Sequence, residues 1–367
     1  MTLLNKYKIN YRAKVLLVFF TVTILIQFSF KSNFTEIANL ISDIDFTLLL
    51  IIIPVIFITL FETFGWYLTL NTKNEKINFT QLYLLRTAID SVQNSIPGGF
   101  AAAELLRPVM LRRNFGMPMN RAVASGIITK LNIAIAQVLF IITGIAVMLI
   151  FYSKESAYFE NIGYKSIYIS LASLIAAIFC LTIFLYKYNG LTKIFNYLKS
   201  LNIKRLKKLL LRNEDKIYEI NNYMREFNTG NIKNFIYTIF IFYVGWMIIA
   251  AEAFLIFRII GVDLNFSQAI ILESAASLIR IVFFFLPSGM GAQEAGLLGL
   301  MSAMGFADPI SASVLFSISR RTKEIVWVIF GYILLFRFGL NPLKLYLSKF
   351  RKELKRRKVE LLFSESE

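Results

Sequence analysis

Apolar residues fall in runs of roughly twenty along most of this chain, long enough to cross a hydrocarbon core as a helix, with polar residues gathered between them. Six runs read as full spans: residues 15–30, 46–70, 122–152, 166–186, 235–260 and 310–338. Two other segments, 82–113 and 265–306, keep apolar residues at helical spacing but are too polar and too interrupted to cross singly. Each is expected to be a helix–break–helix hairpin, because broken backbone survives at membrane depth only when buried in protein or facing a wet cavity. The pattern predicts an all-α fold: a polytopic helical membrane protein with about six full spans plus two re-entrant hairpins.

The two breaks are written in nearly the same way. The first is Pro97-Gly98-Gly99-Phe100-Ala101-Ala102-Ala103-Glu104, and the second is Pro287-Ser288-Gly289-Met290-Gly291-Ala292-Gln293-Glu294. In both, proline and glycine interrupt the helix, and a carboxylate follows near the positive end of the next one. Gly116 and Gly305 come later at matching places, then a cation, Lys130 or Arg320. Three spans, 122–152, 166–186 and 235–260, separate the breaks, so the second hairpin is expected to enter from the face opposite to the first. That makes an inverted repeat within a single transmembrane domain over 1–367: a first half at about 46–152 and a second at about 235–338. Between them lies a basic amphipathic insert, about 187–234, with eleven lysines and arginines against four acids. It reads as interfacial helices on an anionic leaflet.

Composition agrees with a membrane protein. Hydrophobic residues make up 57% of the 367 and charged residues 17%, with a mean hydropathy of +0.61. The net charge of +17 would suggest nucleic acid in a soluble chain, but the cations sit in a few inter-span loops, as the positive-inside rule requires. No nucleic-acid partner is expected. Lys6, Lys8, Arg12 and Lys14 precede the first run and the tail 339–367 is basic, so both termini are placed in the cytoplasm and the protein in the cell (inner) membrane. There is no histidine and one cysteine, Cys180, which removes the commonest general base and any disulfide or thiolate framework. No cofactor and no metal site are expected, although carboxylates could hold a hard cation.

An ionisable side chain at membrane depth costs several kcal/mol unless paired or wet. Glu62, Arg86, Asp90, Glu104, Arg107, Lys130, Glu252, Glu273, Arg280, Glu294, Arg320 and Arg321 all fall within apolar segments. Glu62 and Arg86 read as structural, ion-paired or snorkelling to the interface. Glu104 matches Glu294 and Lys130 matches Arg320 across the repeat, which suggests a shared need. The candidate substrate-binding set is Glu104, Arg107, Lys130, Arg280, Glu294, Arg320 and Arg321. Arginines in a wet groove suit anionic phosphate headgroups, and the helix starts after Gly99 and Gly291 add backbone donors of the same preference. For Glu104 and Glu294, substrate contact and holding the hairpin together are equally open. The hairpin breaks are assigned to Pro97, Gly98, Gly99, Pro287, Gly289 and Gly291.

These residues carry a resemblance. Leu286-Pro287-Ser288-Gly289-Met290-Gly291-Ala292-Gln293-Glu294-Ala295, with Gly305 and Arg320, resembles the second signature of the flippase-like integral membrane family that includes the transmembrane region of lysylphosphatidylglycerol synthases. Ile96-Pro97-Gly98, Ala103-Glu104-Leu105-Leu106-Arg107-Pro108 and Arg112-Arg113 resemble the first. The resemblance covers about residues 10–340 and implies movement of a lipid between leaflets. Family relatives point to aminoacylated phospholipid, hopanoid or polyprenyl-linked lipid as partners. Ala103, Lys130 and Asn132 depart from the family pattern at the first signature. Nine residues follow Lys358, so aminoacyl-lipid synthesis by this chain alone is not expected.

The leading expectation is therefore a lipid flippase with a central charged groove, and not an enzyme. An integral-membrane glycosyl or phosphoryl transferase and an accessory scaffold of a lipid synthase remain as alternatives, and a homo-oligomer stays open. No Gly-rich phosphate loop with lysine is present, so ATP-driven transport is not expected.

Overall fold

The computed structural model describes residues 50–70, 77–95, 99–152, 190–200, 214–230, 232–282 and 291–338. The spans expected at 15–30 and 166–186, the basic tail, and Pro97, Gly98, Pro287 and Gly289 lie outside the described residues. Ten helices make up what is described: α1 (Ile52–Thr69), α2 (Phe79–Ser95), α3 (Gly99–Phe115), α4 (Met119–Tyr152), α5 (Gly190–Ser200), α6 (Glu214–Gly230), α7 (Ile232–Ile259), α8 (Phe266–Val282), α9 (Ala292–Ala303) and α10 (Pro309–Arg337). The fold is all-α, as expected.

Three of these helices are long and apolar enough to cross a membrane: Ile52–Thr69, Met119–Phe151 and Lys233–Ile259. α10, at 29 residues, is also long enough, but Arg320, Arg321, Lys323 and Glu324 interrupt its apolar run. It resolves that conflict by facing. Ile325, Ile329 and Ile333, four residues apart, are each more than half exposed, while Arg320 and Lys323 turn inward. The outward isoleucine stripe suits hydrocarbon, while the charged face of α10 is covered by protein.

Local signals fix the helix ends. Asn78 Oδ1 accepts from the backbone of Thr80 and Gln81 to start α2, and Asn265 with Gln268 forms a reciprocal cap at α8. Asp308 Oδ1 accepts from Ser311 N at 3.1 Å, with Pro309 in the first turn of α10. Gly116 and Gly305 follow α3 and α9 with φ of 69° and 77°, a left-handed conformation that glycine adopts without strain.

The helices form two sets of four, α1–α4 and α7–α10, packed against each other. α2 runs along α10, α8 along α4 and α1 along α7, while each hairpin pair, α2/α3 and α8/α9, also packs on itself. α4 also packs on α7, and a glycine lies at each of the other three cross-set contacts. Gly331 of α10 meets Ser91 and Thr87 of α2, Gly144 of α4 meets Ser274 of α8, and Gly65 of α1 meets Phe242 of α7. Small residues bring helix backbones close where apolar burial gives little drive, because lipid tails are as apolar as leucine. One core joins α1, α2, α3 and α10 through Trp66, Leu85, Met110 and Leu334; another joins α7 to α10 through Phe257, Leu272, Met301 and Phe316.

α6 is held to the bundle. Its Met224 and Phe227 pack on Ala124 and Ile128 of α4, and Tyr223 donates to the Leu70 carbonyl at the end of α1, at 2.8 Å. That part of the insert turns its apolar face to protein.

Two outcomes follow. A Cβ at Gly331 would lie 2.6 Å from the Ser91 Cβ and 2.7 Å from the Thr87 carbonyl oxygen, so Gly331→Val should destabilise by about 1–3 kcal/mol, read as a lower melting temperature in detergent. Gly299→Ala, with open space around the added methyl, should not. Hydrogen bonds from Ser311 hold the Asp308 carboxyl below its ordinary range, so its capping contribution is complete above the unfolded pKa of about 3.9. It should fade as pH falls through the lower folded value, and Asp308→Ala should remove that part of the acid dependence of melting.

Candidate functional site

Two trains of alternating charge run through the bundle, one in each helix set. In the first, Glu62 of α1 pairs with Arg86 of α2 at 2.5 Å, and Arg86 reaches Asp90 one turn on at 3.2 Å. Arg107 of α3 lies between Asp90 at 3.6 Å and Glu104 at 3.7 Å, and Glu104 pairs with Lys130 of α4 at 3.0 Å. Helical spacing makes this train: residues three and four apart share a face.

The second train radiates from α10. Arg320 pairs with Glu273 of α8 at 2.6 Å, Arg321 with Glu294 of α9 at 3.3 Å, and Lys323 with Glu252 of α7. Arg280 also reaches Glu273, at 3.6 Å, and Glu324 holds Arg321 at 2.6 Å. Neighbouring residues on a helix point about 100° apart, so one short stretch of α10 fastens three different helices.

Where the trains face each other, the bundle holds a half-open polar cavity of about 430 Å³. Glu62, Arg86, Asp90 and Lys130 line it from the first set, and Glu252, Arg280, Arg320, Lys323 and Glu324 from the second. Trp246 and Trp327 complete the aromatic part of its wall, and Arg280 lies over the Trp246 ring at 5.7 Å. A separate apolar cavity of about 500 Å³ lies between α1 and α7, lined by Leu50, Ile53, Phe57 and Leu255 among others.

The structure distributes the sequence candidates unevenly. Lys130, Arg280 and Arg320 line the polar cavity. Glu104 and Arg107 stand behind its wall, where Arg107, 2% exposed, makes no hydrogen bond and stacks over Trp66 at 5.3 Å. Glu294, Arg320 and Arg321 border a small adjoining cavity. Glu294 accepts from the Gly291 backbone at 2.7 Å and from Ser317 at 2.9 Å besides its pairing with Arg321. It therefore ties the start of α9, just past the second break, to α10. Gly291 has φ +82°, and Gly99 abuts the Val92 carbonyl of α2 at a distance no Cβ tolerates. The matched carboxylates have different partners: Glu104 joins two cations, while Glu294 caps a helix.

Glu62 and Arg86 pair with each other, and they also face the cavity. Asp90, Glu252, Lys323 and Glu324 face it too and were not among the candidates. One signal for Glu252 was present: 42 residues separate Glu62 from Glu104, and the same 42 separate Glu252 from Glu294. Lys323 and Glu324 had no partner across the repeat to mark them.

Comparison with known families rests on this geometry and on the sequence together. The family described as "Lysylphosphatidylglycerol synthase TM region" matches residues 13–320. The chain belongs to this family. No curated protein and no solved structure matches it. Membership makes the protein an integral membrane protein with a lipid-related function that interacts with membrane phospholipid. The matched region contains both charge trains up to Arg320.

Removing one member of a buried pair leaves a charge uncompensated at a cost of about 3–5 kcal/mol, whereas removing both costs far less. Glu252→Gln should strand Lys323 and lower the melting temperature sharply. The double variant Glu252→Leu/Lys323→Met should recover most of the loss, because both groups are almost fully buried.

Proposed function

We propose that the protein moves a polar phospholipid between membrane leaflets through its central charged cavity. The observation that carries the reading is the cavity itself: a polar space of about 430 Å³ walled by charged residues from two sets of four helices, inside a bundle whose outer faces are apolar. A headgroup needs such a path, because its charge cannot cross hydrocarbon unaided. Residues such as Ile329 and Phe240 on the outer faces suit the acyl chains.

The two sets of helices are read as an inverted repeat with re-entrant hairpins α2/α3 and α8/α9. Supporting this is the reciprocity of packing: the first hairpin arm of each set lies along the last helix of the other, α2 on α10 and α8 on α4. Exchange of those contacts gives two equivalent openings, one to each face. The basic termini support a reading with both ends in the cytoplasm of a cell-membrane protein. Lipid supplied on one side, or an ion gradient, drives the movement, and the chain performs no covalent chemistry on its substrate.

The test is reconstitution into liposomes with acyl-chain-labelled phospholipids and external dithionite. Wild type should bleach the inner-leaflet label over time. Arg320→Ala, which opens the tie between α10 and α8, should slow bleaching by at least about tenfold. Glu294→Gln should do likewise in protein that remains monodisperse. Wild-type rates no faster than empty liposomes would overturn the proposal.

A further inference from the structure

The polar cavity has an apolar neighbour, and the same two helices wall both. α1 and α7 run antiparallel along their seam. At one end Gly65 lets the Phe242 ring come so close that a Cβ would lie 2.5 Å from it, and about one turn on Gly245 sits next to Glu62. At the other end, towards Leu50, the helices leave a groove of about 500 Å³ between them. Ile53, Pro54 and Phe57 line it from α1, and Ile248, Ala251 and Leu255 from α7. Over the same stretch Val55, Thr59 and Glu62 of α1 and Trp246, Ile249 and Glu252 of α7 face the polar cavity. Helix period makes this division: residues 53 and 57 share one face, and 55, 59 and 62 share another. One helix seam therefore separates the apolar groove from the charged cavity.

The two ends of the seam correspond in sequence and differ in structure. Glu62 and Glu252, Glu104 and Glu294, and Lys130 and Arg320 are each 190 residues apart. At that spacing Gly65 corresponds to Leu255, so the seam is closed at Gly65 and open where Leu255 stands.

Chemistry names the occupant. Among the described residues no charged or polar side chain lines the groove, and an apolar space holds no water. Ile53 and Phe57 are 47% and 49% exposed, so the groove opens outward and continues the apolar face that Ile56 and Leu60 of α1 present. In an integral membrane protein that face meets hydrocarbon. A void there forfeits dispersion contacts that a flexible alkyl chain restores.

We infer that the α1–α7 groove seats an acyl chain of the lipid whose headgroup occupies the polar cavity, and that the headgroup crosses between α1 and α7. The tail then stays in hydrocarbon while the headgroup alone enters the protein. The inference rests on the lipid-transport reading for the path of the headgroup, and on the groove alone for the seat of the tail.

The experiment places p-benzoylphenylalanine at position 57 or, separately, at position 329, which is exposed on α10 and lines neither the groove nor the cavity. The protein is irradiated in liposomes of phosphatidylethanolamine and phosphatidylglycerol, and adducts are identified by mass spectrometry. Lipid adduct should form at position 57 in about tenfold excess over position 329, the preference that burial of roughly two methylene groups supplies. Ala251→Phe and Ile53→Trp fill the groove from opposite walls, and each should remove the excess. Both residues are exposed, so the melting temperature should not fall. Each variant should also slow dithionite bleaching of labelled lipid by about tenfold.

Equal lipid adduct at the two positions overturns the inference, and so does a position-57 adduct with another part of the chain or with a second copy in place of lipid. If no lipid is moved but the excess at position 57 is found and both variants abolish it, the transport reading fails and the tail site stands. If both variants move lipid at the wild-type rate, the inference fails and the transport reading stands.

Discussion

A charge taken out of water into the interior of a membrane protein must meet an opposite charge, and this structure depends on that constraint more than on any other. α10 carries Arg320, Arg321 and Lys323 within four residues, and each is matched on a different helix: Glu273 on α8, Glu294 on α9 and Glu252 on α7. Well-paired buried charges add little stability over apolar packing of the same volume, because desolvation offsets most of the attraction. An unmatched one is another matter. A one-residue rotation of α10 would strand three cations together, so the pairs penalise the wrong register even though they contribute little to the right one.

The same pairs explain how a polar cavity coexists with a membrane-facing exterior. Among the helices that border the cavity, α1, α4, α7, α8 and α10 turn charge inward and isoleucine, leucine or phenylalanine outward, with α10 the clearest case. Close approach between the sets is made at glycines: Gly65 meets the Phe242 ring, Gly144 the Ser274 side chain, and Gly331 Ser91 with the Thr87 carbonyl. α6, anchored on α4 and on the end of α1 through Tyr223, ties the insert to the first set.

Much of this was legible in the chain. The long apolar runs became α1, α4 and α7, and the two interrupted segments became paired helices on either side of each break. The left-handed glycines at Gly116 and Gly305 fall where the repeated motif puts them. Family membership, read from the proline–glycine signatures, holds across residues 13–320. Less legible was the use of each charge. Glu104 and Glu294 occupy matched sequence positions, yet one links two cations and the other caps a helix and holds Ser317. Arg107 reads as a headgroup ligand by type but is buried behind the wall against Trp66.

By itself the sequence determined that the protein is helical and membrane-embedded, where its helices begin and break, and that it carries more charge at depth than apolar packing would need. Those properties are local: they follow from hydropathy, helix period, and the backbone chemistry of proline, glycine and the capping residues. Only the tertiary structure decided which cation meets which carboxylate, and hence that the charges of each train balance. Pairing joins residues as far apart as Glu252 and Lys323, on helices brought together by packing, and no periodicity along the chain encodes the facing of one helix towards another.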